Sequence, residues 1–72
     1  MKGVKLGKYR HFKGNEYELI AIARDSEDSE RLMAVYRSLK DSGEVWVRPL
    51  SMWQETVTLP DGRLVPRFSP ID

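Results

Sequence analysis

A chain of 72 residues holds one domain and one small core, and a core of this size rarely yields more than about 3 to 5 kcal/mol of net stability. It contains no cysteine, which excludes disulfides, thiolate metal sites and cysteine nucleophiles and fits a reducing, cytoplasmic setting. Twelve basic against eleven acidic residues leave a net charge of +1, too little to hold a polyanion over the whole surface.

The opening MKGVKLGKYR is positively charged, but no apolar run of signal-peptide length follows it and no segment approaches a membrane span. A soluble cytoplasmic protein is expected. The charge is unevenly spread: residues 1 to 24 hold six Lys or Arg (Lys2, Lys5, Lys8, Arg10, Lys13 and Arg24) against two Glu. Such a cluster suits phosphates, although a solvated face is the ordinary role of a charge run.

GKYRHF alternates on two faces, with Tyr9, His11 and Lys13 on one and Arg10 and Phe12 on the other, and ends at a Gly14-Asn15 turn. EYELIAIAR is the most apolar run and the expected central strand. Both of its rows, Tyr17, Leu19, Ala21, Ala23 and Glu18, Ile20, Ile22, Arg24, are apolar in the middle, as in a strand covered on both sides or curled within a barrel. In DSERLMAVYRSLKDSG, Leu32, Val35, Tyr36 and Leu39 repeat at helical spacing, with Ser29 as an N-cap and Gly43 as a stop. Read instead as a strand, the segment pairs with EVWVRP through the DSG turn at 41–43.

EVWVRP is a strand that Pro49 terminates. Ser51 followed by Gln54 has the spacing of a capping box and predicts one helical turn near residues 51–55, with Met52 and Trp53 plugging one end of the fold. TVTLPDGRLVPRF predicts a hairpin through Pro60-Asp61-Gly62 whose second arm, bearing Pro66, lies at an edge. Residues 69–72 are expected to fray, leaving an ordered core of about residues 6–68 in a single domain.

The stretches YRHFKGNEYELIAIARDSED, VYRSL, WVRPLSMW and VPRF resemble, in order and spacing, the bacterial family known as domain of unknown function 1653. YRHFKG and WVRPL are the most specific of them, since neither follows from a strand pattern alone. The resemblance implies a mainly β fold, a small SH3-like barrel or β-roll of about five strands, and with it a strand over residues 32–39. It implies no activity. Asp25 stands where relatives tend to carry a histidine, and Trp53 where a phenylalanine is expected.

The residue inventory for catalysis is thin. His11 is the lone histidine, the serines lie in turns, and there is no glycine-rich phosphate loop. A histidine metal site draws on two or more His or Cys ligands, and the acidic run Asp25, Glu27, Asp28, Glu30 lacks the central glycine and distal glutamate of a calcium loop. No cofactor is expected. The better-supported reading is a binding module with an aromatic and basic face. Pairing of the third and fourth strands puts Tyr36, Trp46 and Arg48 on one face and Val35, Val45 and Val47 on the other. Tyr9, His11, Lys13, Arg24, Tyr36, Trp46, Arg48 and Arg67 form the candidate surface, suited to a protein or peptide, a single-stranded nucleic acid or a modified side chain. A small-molecule, metal or catalytic site around His11 is the alternative, and weak self-association a third reading.

Overall fold

In the computed structural model, which describes residues 4–40 and 44–71, the chain forms strands β1 (Gly7–His11), β2 (Glu16–Asp25), β3 (Asp28–Ser38) and β4 (Val45–Pro49), the helix α1 (Leu50–Trp53), and strands β5 (Thr56–Thr58), β6 (Leu64–Pro66) and β7 (Phe68–Pro70). One antiparallel sheet has the order β4-β3-β2-β1-β7, and β5 and β6 make a separate two-stranded ribbon. The fold is mainly β with one short helix, as expected. Among the described residues the sheet ends at β4 and β7 and does not close into the SH3-like barrel that the resemblance implies.

Residues 32–38 are strand despite their helical spacing, because β3 lies between β2 and β4 and both flanking ladders satisfy its backbone. The DSG turn that would join β3 to β4 lies outside the described residues; the register Tyr36↔Trp46 and Ala34↔Arg48 shows the pairing itself. At the β1–β2 turn, Gly14 has φ +108°, a backbone setting that glycine takes without steric cost, and its N–H donates to His11 O. The β5–β6 hairpin runs through Pro60-Asp61-Gly62 as expected, with Leu59 N–H donating to Arg63 O.

The two apolar rows of EYELIAIAR have a specific cause. Leu19 pairs with Tyr36 and Ala21 with Val35, so Ile20 is an extra residue in the ladder, a β-bulge. The bulge shifts the phase of β2, so that Leu19 before it and Ile22 after it face the same side. On that side Tyr9, Leu19, Ala34, Tyr36, Leu50, Trp53 and Phe68 form the buried core, with Tyr17, Ile22 and Leu32 packed at its margin. The Trp53 and Phe68 rings stack 3.7 Å apart, and Tyr9 meets Trp53 edge-on at 5.3 Å.

Two local expectations are corrected. Ser51 does not cap α1: the helix begins directly after Pro49 with no side-chain cap, Ser51 lies inside it, and of the pair meant to plug the fold only Trp53 is buried. Pro49 sets its own φ at −55°, so the chain enters the helix without a side-chain acceptor. Residues 69–71 do not fray, because β7 pairs with β1 and Ile71 N–H donates to Lys8 O; Asp72 lies outside the described residues.

Candidate functional site

The core face of the sheet does not stay closed to its edge. Beside α1, which packs on β3 and β4, the inner faces of β1, β2, β3 and β4 leave an open cleft of about 420 Å³. Tyr36 and Phe68 contribute from the core, and Arg48 and Trp46 come from the edge strand β4. His11 and Asn15 line it from β1 and the following turn, and Tyr17, Ser38 and Lys40 complete it. Among the described residues no carboxylate lines this cleft.

Arg48 is its best-anchored cation. Its Nε donates to the Tyr36 hydroxyl at 3.1 Å, and its guanidinium carbon lies 5.5 Å from the ring centres of both Tyr36 and Phe68. Aromatic faces of this kind hold a guanidinium in place while leaving its charge uncompensated. Arg10, Arg37, Arg63 and Arg67 are paired with Glu16, Glu18, Asp61 and Glu55, whereas Arg48 has no carboxylate partner among the described residues. Trp46, two residues earlier on the same face, leaves half of its surface (52 %) open to solvent.

His11 forms the opposite wall. Its Nδ1 accepts from the Lys13 backbone N–H at 3.2 Å, which puts the proton of the neutral ring on Nε2. The ring packs edge-on against Phe68 at 5.0 Å. Burial, and then the positive charges of Arg67, Arg48 and Lys13, hold its pKa below the usual histidine value. A histidine oriented by a backbone N–H and surrounded by cations is poorly arranged as a general base, which needs its charged form stabilised.

The structure brings four of the eight candidate residues, His11, Tyr36, Trp46 and Arg48, to this cleft. Tyr9 is buried, its hydroxyl donating to Lys5 O, and Lys13 extends over the exposed ring of Phe12. Arg24 donates to Ser29 O at the β2–β3 hairpin, away from the cleft. Arg67 pairs with Glu55 at 2.7 Å, donates its backbone N–H to Glu55 O and accepts from Phe12 N–H, so it ties the ribbon region to the β1–β2 turn. Phe68 and Lys40 were not singled out from the sequence. Phe68 reaches the cleft only because β7 pairs with β1, His11 facing it across the ladder. That juxtaposition across more than fifty positions leaves no local signal.

A family model described as protein of unknown function (DUF1653) matches residues 7–70. The chain belongs to DUF1653. Among solved structures, the crystal structure of a DUF1653 protein from Bordetella bronchiseptica has the same fold, with a TM-score of 0.86 and 33 % sequence identity over 99 % of this chain and 91 % of that one. No curated protein matches. In this DUF1653 chain the two most specific stretches, YRHFKG and WVRPL, meet in space: His11 of the first and Trp46 and Arg48 of the second line the same cleft.

Proposed function

We propose that this DUF1653 protein is a non-catalytic binding module that takes an anionic segment of a macromolecular partner into the cleft between His11 and Arg48. The observation that carries the reading is the seating of Arg48, held by the Tyr36 hydroxyl and two aromatic faces and, among the described residues, without a carboxylate. A cation fixed in a half-enclosed apolar setting and lacking an internal counter-charge meets an anion at little cost in side-chain entropy. Trp46 beside it offers an open flat face for an apolar or aromatic group. The positive neighbourhood felt by His11 and the absence of carboxylates from the lining among the described residues fit the same sign of ligand.

The alternative centred on His11 draws no comparable support. Among the described residues no three His, Cys, Asp or Glu side chains gather as a metal site. The carboxylates of Asp25 and Asp28 each accept a backbone N–H within their own hairpin, from Glu27 and Glu30. The test is an amide-shift titration with a peptide pool and, separately, an oligonucleotide pool. Perturbations contiguous over His11, Tyr36, Lys40, Trp46 and Arg48 are expected with at least one pool; scattered or absent shifts with both would refute the cleft as a binding site.

A further inference from the structure

β4 is an edge strand, and Pro49 fixes which of its backbone groups face outward. Proline has no N–H to give, so Met33↔Pro49 is not a hydrogen-bonded pair of the antiparallel ladder, and by alternation neither are Val35↔Val47 and Arg37↔Val45. Trp46 and Arg48 therefore bond to β3. The N–H and C=O groups of Val45 and Val47 point to the other side, which is free among the described residues. Val45, Trp46 and Val47 are exposed at 58, 52 and 59 %. The residues on either side of Trp46 match in a way that a two-fold axis can use: Val45 and Val47 stand one step away, and the opposite charges Glu44 and Arg48 stand two steps away. Glu44 is exposed, and neither it nor Arg48 has an ion-pair partner among the described residues.

We propose that two copies of this chain pair antiparallel through their β4 edges about a two-fold axis at Trp46, so that Glu44 of each copy faces Arg48 of the other. In that register Val45 of one copy stands opposite Val47 of the other, and the outward groups of each such pair exchange both of their N–H···O bonds. Trp46 meets Trp46, and Glu44 meets Arg48, at the pairs without hydrogen bonds, where opposed side chains lie closest. Pro49 falls beyond the bonded pairs, so its missing donor ends the added ladder without interrupting it. An axis at Val47 instead sets Val45 against Pro49, which cannot donate, and Glu44 against Leu50. Charge decides the occupant, because a second copy brings to Arg48 the acid that the described lining of the cleft lacks. The contact is one short strand wide, small beside the roughly 1,600 Å² of a standard stable interface, so the association is weak and reversible. The inference does not depend on the cleft reading but bears on it, since Glu44 of one copy and an anionic ligand compete for the same Arg48.

Sedimentation equilibrium of the unaltered chain, from dilute to millimolar concentration, should show a monomer passing to a dimer and no further, because a two-fold contact closes on itself. Amide exchange at Val45 and Val47 should slow severalfold in the concentrated sample relative to the dilute one. Charge is tested by mixing variants. Glu44→Arg and Arg48→Glu each set like charges opposite one another in a dimer with itself and should weaken association roughly tenfold. An equimolar mixture of the two restores opposite charges at both positions and should associate as well as the parent. Should Arg48→Glu fold poorly, the exchange measurement and Glu44→Arg, at an exposed position outside the strand, still decide. A monomer at every concentration, growth beyond a dimer, or association without slowed exchange at Val45 and Val47 overturns the pairing. So does Glu44→Arg associating like the parent, or a mixture no stronger than its components. None of these outcomes touches the cleft reading, which the peptide and oligonucleotide titrations test separately.

Discussion

The Arg48 guanidinium is bonded through Nε to the hydroxyl of Tyr36, the residue buried two places from its own cross-strand partner Ala34. The pair joins core to cleft, since the ring of Tyr36 packs against Trp53 and Phe68 while its hydroxyl holds the cation of the site. Removing that hydroxyl therefore separates the two roles. Tyr36→Phe should cost about 0.5 to 1.5 kcal/mol in chemical denaturation, the ordinary worth of one hydrogen bond. It should also weaken capture of an acidic peptide severalfold, because Arg48 then keeps only its ring contacts.

His11 gives a pH test. Its pKa lies below the ordinary 6.5, chiefly through burial and then through Arg67, Arg48 and Lys13. Between the folded value and 6.5 the unfolded chain binds more protons, so the stability linked to His11 is fully present above that range and is lost as pH falls through the folded value. Titration of the imidazole protons by NMR should give a midpoint below 6.5, and Arg48→Gln should raise it. An acidic peptide in the cleft should raise it as well, because its carboxylate offsets the same positive field.

The bulge at Ile20 predicts opposite outcomes for neighbouring residues. Leu19→Ala empties a site that is 1 % exposed and should cost about 2 to 5 kcal/mol, enough to unfold most of a domain this small. Ile20→Thr, on the exposed bulge residue, should change stability by less than about 1 kcal/mol. Thermal melts of the two variants provide the comparison. A regular strand without the bulge would put Ile20 and Ile22 on one face and remove Ile22 from the core.

Trp53 carries a tension of its own. It is buried and stacked on Phe68, yet its indole N–H has no hydrogen-bond partner among the described residues. Trp53→Phe loses packing volume but also removes that unpaired donor, whose burial costs about 1 to 3 kcal/mol. The two effects oppose, so the variant should stay within about 1.5 kcal/mol of the parent by denaturant midpoint, while Trp53→Ala should lose about 3 to 5 kcal/mol.

What was legible in the sequence was what local chemistry decides. The Gly14 and Pro60-Asp61-Gly62 turns, the strand end at Pro49 and the shared face of Tyr36, Trp46 and Arg48 follow from turn residues and a period of two. The strand at residues 32–38 was ambiguous locally, because Leu32, Val35, Tyr36 and Leu39 also fit a helix, and the pairing of β2 and β4 decides against it. Non-local features were hidden. Nothing near Phe68 shows that β7 will lie beside His11, and the bulge at Ile20 reads in sequence only as two apolar rows. Ser51 misled because the capping-box spacing was present while Pro49 already started the helix.

The proposed function makes Arg48 the anion-seeking group of the cleft, and Trp46 supplies the reporter, since Trp53 is buried and Trp46 is open. A synthetic acidic peptide that perturbs the cleft amides should be titrated against the parent chain, Arg48→Gln and Arg63→Gln while tryptophan emission is followed. A blue shift on binding is expected in the parent and in Arg63→Gln, with Arg48→Gln weaker by roughly tenfold. Equal affinity in all three, or no change in emission at saturating peptide, would contradict it.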